Sequence, residues 1–497
     1  MDGESMNANI REKLKNVLLV VLVLMTVLLL YFLWGSKSLE SFIFNSNENT
    51  HYEVMTSKQV ILPDQIILGR GNEDYLLAGA SKESLWNDEI LGAFREFSKG
   101  TNILVEEITE EKYKAAMAYP SLTAVFSYNL PFADFCQQFD INQAQGYDNI
   151  SSVTEICFSE GSAEGTFLYD GSKGKYYWLL GNKSTEVVKQ AESIFAQEQP
   201  VIYFPLKMYL GAEGTNDTLI PVESPEGLVP VDYRIDMAAA EKDTIESLAQ
   251  FYFGETLDFI RKLEESNGKI IYMYGYGQKV LVINPVEGSI EYKEEIKSAG
   301  SEPQSFFQSL DTALGYIGAH GGFKTDSGET INPYLKSAMS IDDKKNSYRF
   351  VFSFKIEKNK VFYQENLPVI IEVQDGQVSY YRRELLDFDQ EQGAERSEAK
   401  RISAINMLAM NYDYILSKAG LKLEPEREET AFEDVADQID NLYIGYLKPS
   451  AESTDQVAAD KGKSLQLIPV WVVEAKGTLL YFDLYDGQPR GGTQAVQ

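Results

Sequence analysis

Ser172 and Lys175 stand in "GSKGKYYW" at the S-x-x-K spacing by which a lysine can activate a serine for acyl transfer. That chemistry needs the serine at a helix start inside a cleft. Here it falls on a glycine turn between two aromatic-rich segments, "GTFLYDG" and "KYYWLLG", and reads as a hairpin turn. "LGRGNEDY" and "YGYGQKV" carry Gly-x-Gly without the third glycine and strand-to-helix setting that cradle a phosphate. Close carboxylates in "AEGTND" and "IDMAAAEKD" are inevitable in a chain with 75 acidic residues. The two histidines, His51 and His320, and the two cysteines, Cys136 and Cys157, supply neither a His-rich metal site nor a zinc site built on CxxC. His320, in "AHGG", falls where a helix would end and reads as a cap. The G-x-S-x-G, H-E-x-x-H, Walker and calcium-loop patterns do not occur. An enzyme is therefore the weaker class, and no cofactor, metal or small-molecule substrate is expected.

The elements that carry these residues belong to a long, acidic chain. Its 497 residues exceed one ordinary core and predict three or four folding units. A net charge of -30 disfavours nucleic acid and other polyanions as partners. One uncharged apolar run, Val17 to Trp34, is long enough to cross the hydrocarbon of a bilayer as a helix. Arg11, Lys13 and Lys15 precede it and Lys37 alone follows closely, which predicts a cytoplasmic N-terminus and an extracytoplasmic bulk. The alternative, a cleaved signal peptide, fits less well: the run is long and no small-x-small site follows cleanly. Outside the cytoplasm, Cys136 and Cys157 form a possible disulfide, whose loop closure would contribute about 3 kcal/mol.

The expected fold class is α+β: a single transmembrane helix, a mixed α/β domain, then two related helix-on-antiparallel-sheet modules. The expected divisions are a cytoplasmic 1–15, an anchor at 16–35, a stalk at 36–50, a first domain at 51–240, modules at 241–388 and 389–487, and a tail at 488–497. In the first domain, "KQVILPDQIILG" reads as strand on both sides of Pro63. Trp86, Ile90, Phe94 and Phe97 have helical spacing, and "STEVVKQAESIFAQ" is a second helix capped by Ser184. "IESLAQFYFGETLDFIRKLEESNG" predicts one helix reaching Gly268, with Phe253, Leu257, Ile260 and Leu263 on one side. "KIIYMYGYGQKVLVINPVEGSIEY" then supplies two or three antiparallel strands. Leu310, Ala313, Leu314 and Ile317 mark the helix of the central module, and Ile402, Ile405, Leu408, Tyr412 and Ile415 that of the last.

Each module closes on the same pattern. "LPVIIEVQDGQVSYYRREL" and "IPVWVVEAKGTLLYFDLY" align Pro368 with Pro469, Gly376 with Gly477, and Tyr380-Tyr381 with Tyr481-Phe482. The prolines suit strand starts or edges, the glycines a tight turn, and each aromatic pair puts one ring on each sheet face, one of them under the preceding helix. Repetition of helix, sheet and hairpin in that order reads as a duplicated two-layer unit.

Several segments together resemble the YycH family. They are "FYFGETLDFIRKLEESNGKIIYMYGYGQKVLVINPVEGSIEY", "LGYIGAHGGF" with the first hairpin, and "YIGYLKP" with the second, across Ile245 to Tyr485. "MYGYG" replaces the family's usual aspartate-glycine turn, and the acidic stretch Glu424 to Asp440 is an unexpected insertion. The resemblance implies a membrane-anchored accessory protein acting with a YycI-like partner on a WalK (YycG) type sensor histidine kinase that controls cell-wall metabolism. It also implies that the last two modules are YycI-like. The alternative class is an extracytoplasmic binding or protease-inhibitory module unconnected with a kinase.

Overall fold

The computed structural model describes Met25 and residues 55–494, apart from 101, 162–164, 182–185, 199, 211–214, 223–226, 236–241, 255–256, 258, 298–303, 324–330, 342–346, 422–430 and 451–464. The chain divides into two compact units. The first is Met1–Tyr52 with Gln250–Leu257, and the second is Glu53–Ala249 with Asp258–Gln497. Among the described residues no helix is long and apolar enough to cross a membrane. The Val17 to Trp34 run lies outside them except for Met25, which is helical. His51 and Ser184 lie outside them too. The second unit holds both of the large sheets.

Its first sheet contains β1 (Gln65–Arg70), β2 (Tyr75–Leu77), β3 (Leu104–Ile108), β4 (Pro120–Pro131), β5 (Ser152–Ser159), β6 (Thr166–Asp170), β7 (Lys175–Leu180), β8 (Ile202–Pro205) and β9 (Leu219–Pro221). Their spatial order is β3-β7-β6-β5-β4-β1-β2-β8-β9, with every pair antiparallel. The sheet of the first domain is thus antiparallel throughout. Both faces are covered, so β5 and β6 are apolar on both sides. Cys157 and Phe167 pack under the Glu110–Met117 helix with Tyr113 and Ala116. On the strands, their neighbours Ile156 and Leu168 point the other way and are fully buried. Helical residues Lys82–Ser98 pass through a π-helical turn at Leu85–Ile90 and bury Trp86, Ile90, Phe94 and Phe97. Trp86 meets Phe126 of β4 edge-on at 5.2 Å and Phe139 at 6.0 Å. Upstream of Pro63 the expected strand is instead a helical turn, Ser57–Val60, because Thr56 and Gln59 form a capping box.

A larger second sheet follows. Its strands are β11 (Val231–Ile235), β12 (Arg261–Glu264), β13 (Ile270–Tyr274), β14 (Lys279–Asn284), β15 (Ser289–Glu294), β16 (Asn332–Ser340), β17 (Ser347–Ile356), β18 (Asn359–Tyr363), β19 (Val369–Gln374), β20 (Gln377–Glu384), β21 (Leu386–Phe388), β23 (Asn441–Lys448), β24 (Leu465–Ala475), β25 (Thr478–Asp483) and β26 (Pro489–Gln494). The short strands β10 (Gly227–Leu228) and β22 (Arg396–Ser397) pair separately. The long helix expected to reach Gly268 ends at Phe253, before Gly254 at φ 98°, and Arg261–Glu264 is strand β12. A positive φ at that glycine turns the chain out of the helix.

In the central part the Phe306–Ala319 helix buries Leu310, Ala313, Leu314 and Ile317 against β17, β19 and β20, and ends at Gly321 and Gly322, both at positive φ. In the last part the Ala404–Lys418 helix, capped by Ser403, buries Ala404, Met407, Leu408, Asn411 and Ile415. Its buried face is displaced from the expected one. Ile402 precedes the helix, and Asn411 rather than Tyr412 points inward because its amide donates to Met407 O and Gly487 O.

The two hairpins are β19–β20 and β24–β25, each following an antiparallel strand, β17 or β23. Both turns have two residues at positive φ: Asp375 48° and Gly376 78°, Lys476 46° and Gly477 71°. Such turns match the twist of the strands they join. The fifth residue beyond each turn glycine lies under its helix. Tyr381 meets Tyr316 edge-on at 5.3 Å, and Phe482 meets Tyr414 at 5.8 Å. Tyr481 faces the opposite side, in a cluster with Phe362, Val470 and Val472, and Tyr380 lies 5.4 Å from the Lys293 ammonium.

The hairpins differ at two points. A β-bulge at Ser379 shifts the first register, so Tyr381 pairs with Ile371 whereas Phe482 pairs with Trp471. Pro368 immediately precedes β19, but Pro469 lies inside β24 rather than at its start. It sits where β24 exchanges one neighbour for another: Leu465–Leu467 pair with β11 and Val470–Ala475 with β25. A residue without an N–H fits that gap in the ladder.

The parts defined by sequence share this one sheet. β18 pairs with β23 in parallel, joining the central and last parts, and β11, from the first region, pairs with β24 and β21. The first sheet is tied on as well. Ser57 N–H donates to Asp311 at 3.0 Å, Phe306 N–H to Asp134 at 2.8 Å, and Asn216 Nδ2 to Ala436 O at 2.7 Å.

Candidate functional site

The residues with catalytic or ligand-binding patterns are structural. Ser172 occupies the β6–β7 turn and donates to Asp170, while Lys175 pairs with Glu107 at 2.7 Å. His320 caps the Phe306–Ala319 helix: its ring stacks on Tyr316 at 3.8 Å, with Nδ1 2.8 Å from Tyr316 O. Burial pushes its pKa down to about 4, so the ring is neutral. Cys136 and Cys157 are free thiols, not a disulfide. Cys157 lies beneath the Glu110–Met117 helix, and Cys136 is on the Phe132–Gln138 helix, within the aromatic layer of Trp86 and Phe135. Burial raises both thiols to about 12, which leaves them unreactive. Among the described residues no group of three or more His, Cys, Asp or Glu is placed to hold a metal. An open cleft of about 480 Å³ near the start of the Ala404–Lys418 helix is lined by Lys400, Arg401 and Tyr485, but Ser403 already caps that helix.

The concentration of chemistry lies where the first sheet meets the second, and none of its residues was singled out by motif. Strands β17 and β18 form a tight hairpin whose register places Lys355 directly opposite Lys360. Like charges at that spacing repel. Lys336 is the extra residue of a β-bulge in β16, between Leu335 and Ser337, and its carbonyl accepts from Ser127 of β4 at 3.0 Å. A bulge of this kind redirects the side chain. Lys82, at the head of the Lys82–Ser98 helical stretch, donates from Nζ to Asp64 O at 3.2 Å, and its charge disfavours that of Lys355. The Asp64 carboxylate is bound by Lys360 Nζ. Tyrosine rings line the base. Tyr334 lies 5.0 Å from the Lys355 ammonium and 5.6 Å from that of Lys360, and Tyr443 lies 4.8 Å from Lys360.

The electrostatics follow from this crowding. Burial first, then Lys82 and Lys360, push Lys355 down to about 7, with Asp64 opposing. Burial and Lys360 push Lys336 down to about 8 against the pull of Glu474. Burial lowers Lys82 as well, with Asp64 opposing. Asp64 itself is buried, which would raise its carboxyl, but Lys360, Lys82 and Lys355 outweigh burial and hold it below its usual range. Glu474 accepts from Asn441 at 3.0 Å and from the Tyr443 hydroxyl at 3.3 Å. Among the described residues, neither Lys336 nor Lys355 has a carboxylate at ion-pair distance.

The architecture defines a class: an α+β protein of two joined sheets with a cationic seam between them. Residues 12–177 match the family model described as the YycH protein, N-terminal domain. The fold is similar to that of the crystal structure of YycH from Bacillus subtilis, at 11% identity and TM-score 0.51, over 87% of this chain and 99% of that one. Residues 12–177 thus match a YycH N-terminal domain, and the chain as a whole has a YycH-like fold. A protein from Eubacterium rectale (13% identity, TM-score 0.31, 57% of this chain and 87% of that one) and the YpeB C-terminal domain of Bacillus megaterium (9%, 0.22, 52% and 99%) also match in part. No curated protein matches the chain in sequence.

Proposed function

We propose that this chain is a membrane-anchored, extracytoplasmic accessory protein that modulates a WalK/YycG-type sensor histidine kinase by contact, together with a YycI-like partner. The observation that supports the reading is the YycH N-terminal domain match at 12–177, joined to a YycH-like fold over most of the chain. A regulator that works by contact shifts its target by binding one of its states better than another. Two parts of the chain are available for this. The uncharged run Val17 to Trp34 can pack against helices of the kinase in the bilayer, and its basic flank Arg11, Lys13 and Lys15 orients it. Outside, the β12–β14 meander carries Phe259, Tyr274 and Tyr276 in exposed positions.

The test is purification of the tagged full-length chain from membranes of its own organism in mild detergent. Recovery of the kinase and a YycI-like protein supports the proposal; recovery of neither overturns it. Exchange of Val17 to Trp34 for an unrelated membrane helix assigns the contact. Loss of kinase-dependent transcription places it in the bilayer, and unchanged transcription places it in the outer domains.

A further inference from the structure

The seam concentrates more positive charge than its own carboxylates neutralise. Lys82, Lys336, Lys355 and Lys360 face Asp64 and Glu474, a balance of four cations against two anions in a chain whose net charge is -30. All four lysines are half-buried. The surplus is structurally enforced. The β17–β18 register fixes Lys355 opposite Lys360, the bulge turns Lys336 out of the regular alternation, and Lys82 enters from a helix of the first part to donate to Asp64, which also binds Lys360. Proteins otherwise avoid opposing like charges directly across a strand pair.

We propose that Lys82, Lys336 and Lys355, with Lys360 held by Asp64, form a binding site for a compact tetrahedral dianion, a phosphate group. With all four amines protonated the surplus is two charges, which a dianion matches, and its binding favours that protonated state. Amines converging from the helix and from β16 and β17 supply donors from several directions, as a tetrahedral anion accepts them. The rings of Tyr334 and Tyr443 lie against the amines of Lys355 and Lys360, at 5.0 Å and 4.8 Å. Since Lys82 comes from the helical stretch over the first sheet and the other donors from the second sheet, a bound anion would join the two parts at this point. The inference does not depend on the identity of any protein partner, and its test needs none.

The test is titration calorimetry of the full-length chain with inorganic phosphate and with sulfate, against chloride at equal ionic strength. Saturable binding of both tetrahedral anions at one site is expected. Sulfate keeps its charge across this pH range, so any proton uptake on binding comes from the protein. At pH 8, uptake of about one proton per sulfate is expected as Lys355 and Lys336 become charged, read from two buffers of different ionisation enthalpy. Lys82→Met and Lys355→Met should each weaken binding on the order of tenfold. Lys82→Met lies at the head of a helix and remains interpretable if Lys355→Met alters folding. Glycerol phosphate distinguishes the sources: equal affinity indicates a terminal phosphate of a larger molecule, and exclusion indicates the free ion. Binding no stronger than chloride, absence of proton uptake, or unchanged affinity in Lys82→Met would overturn the proposal.

Discussion

Replacing Lys355 by methionine should stabilise the protein, and should do so most at low pH. Lys355 opposes Lys360, and burial with the charges of Lys82 and Lys360 pushes its pKa from 10.5 to about 7. At about 1.4 kcal/mol per tenfold change, holding this amine charged in place costs at most roughly 5 kcal/mol. Side-chain relaxation and water entry reduce that figure, and replacing buried charge by an apolar side chain of similar length typically stabilises by about 1–3 kcal/mol. The sign with pH is definite. The folded pKa lies below the unfolded one, so between about 7 and 10.5 the unfolded chain holds the extra proton and wild-type stability rises with pH. Tyr334 and Tyr443, raised by burial, act in the opposite sense only above pH 10. Urea unfolding of full-length wild type and Lys355→Met, followed by the fluorescence of buried Trp86 and Trp471, should therefore show the largest gain at pH 6 and a smaller one at pH 9. A variant less stable than wild type at both pH values, or a difference that does not change with pH, would refute the account of the seam.

Asp64→Asn leaves Lys360 without its carboxylate and should destabilise by about 3–5 kcal/mol, with wild type losing the same contribution as acid protonates Asp64 below its lowered pKa; acid titration of both forms by fluorescence checks this. Tyr381→Ala and Phe482→Ala each remove the ring beneath a module's helix and should each cost about 3–5 kcal/mol in urea unfolding, whereas a loss under about 1 kcal/mol at either position would deny the equivalence of the two rings. Cys136 and Cys157 should resist thiol reagents in the native protein and react after unfolding, and reductant should leave the melting temperature unchanged; rapid native labelling would contradict their burial.

Local chemistry was legible in the sequence wherever a short stretch decides its own conformation. Asp375-Gly376 and Lys476-Gly477 announce two-residue turns because glycine there tolerates positive φ, and strand alternation puts one ring of each aromatic pair under a helix, while the sheet decides that it is Tyr381 and Phe482. The spacing of Trp86, Ile90, Phe94 and Phe97, and of Leu310 to Ile317, marks buried helical faces for the same reason. Helix limits were less legible: the apolar spacing continues past Gly254 to Leu263, but the glycine's positive φ breaks the helix and sheet pairing claims Leu263 for β12. The lysine seam was not legible at all. Asp64, Lys82, Lys336, Lys355 and Lys360 belong to different elements, and no spacing along the chain signals that they meet. Only the hairpin register, the bulge in β16 and the docking of the first sheet bring them together. The same holds for β11 beside β24 and for the parallel pairing of β18 with β23. A residue's conformation is set largely by its neighbours in sequence, but its electrostatic surroundings are set by neighbours in space, and those exist only once the sheets have joined.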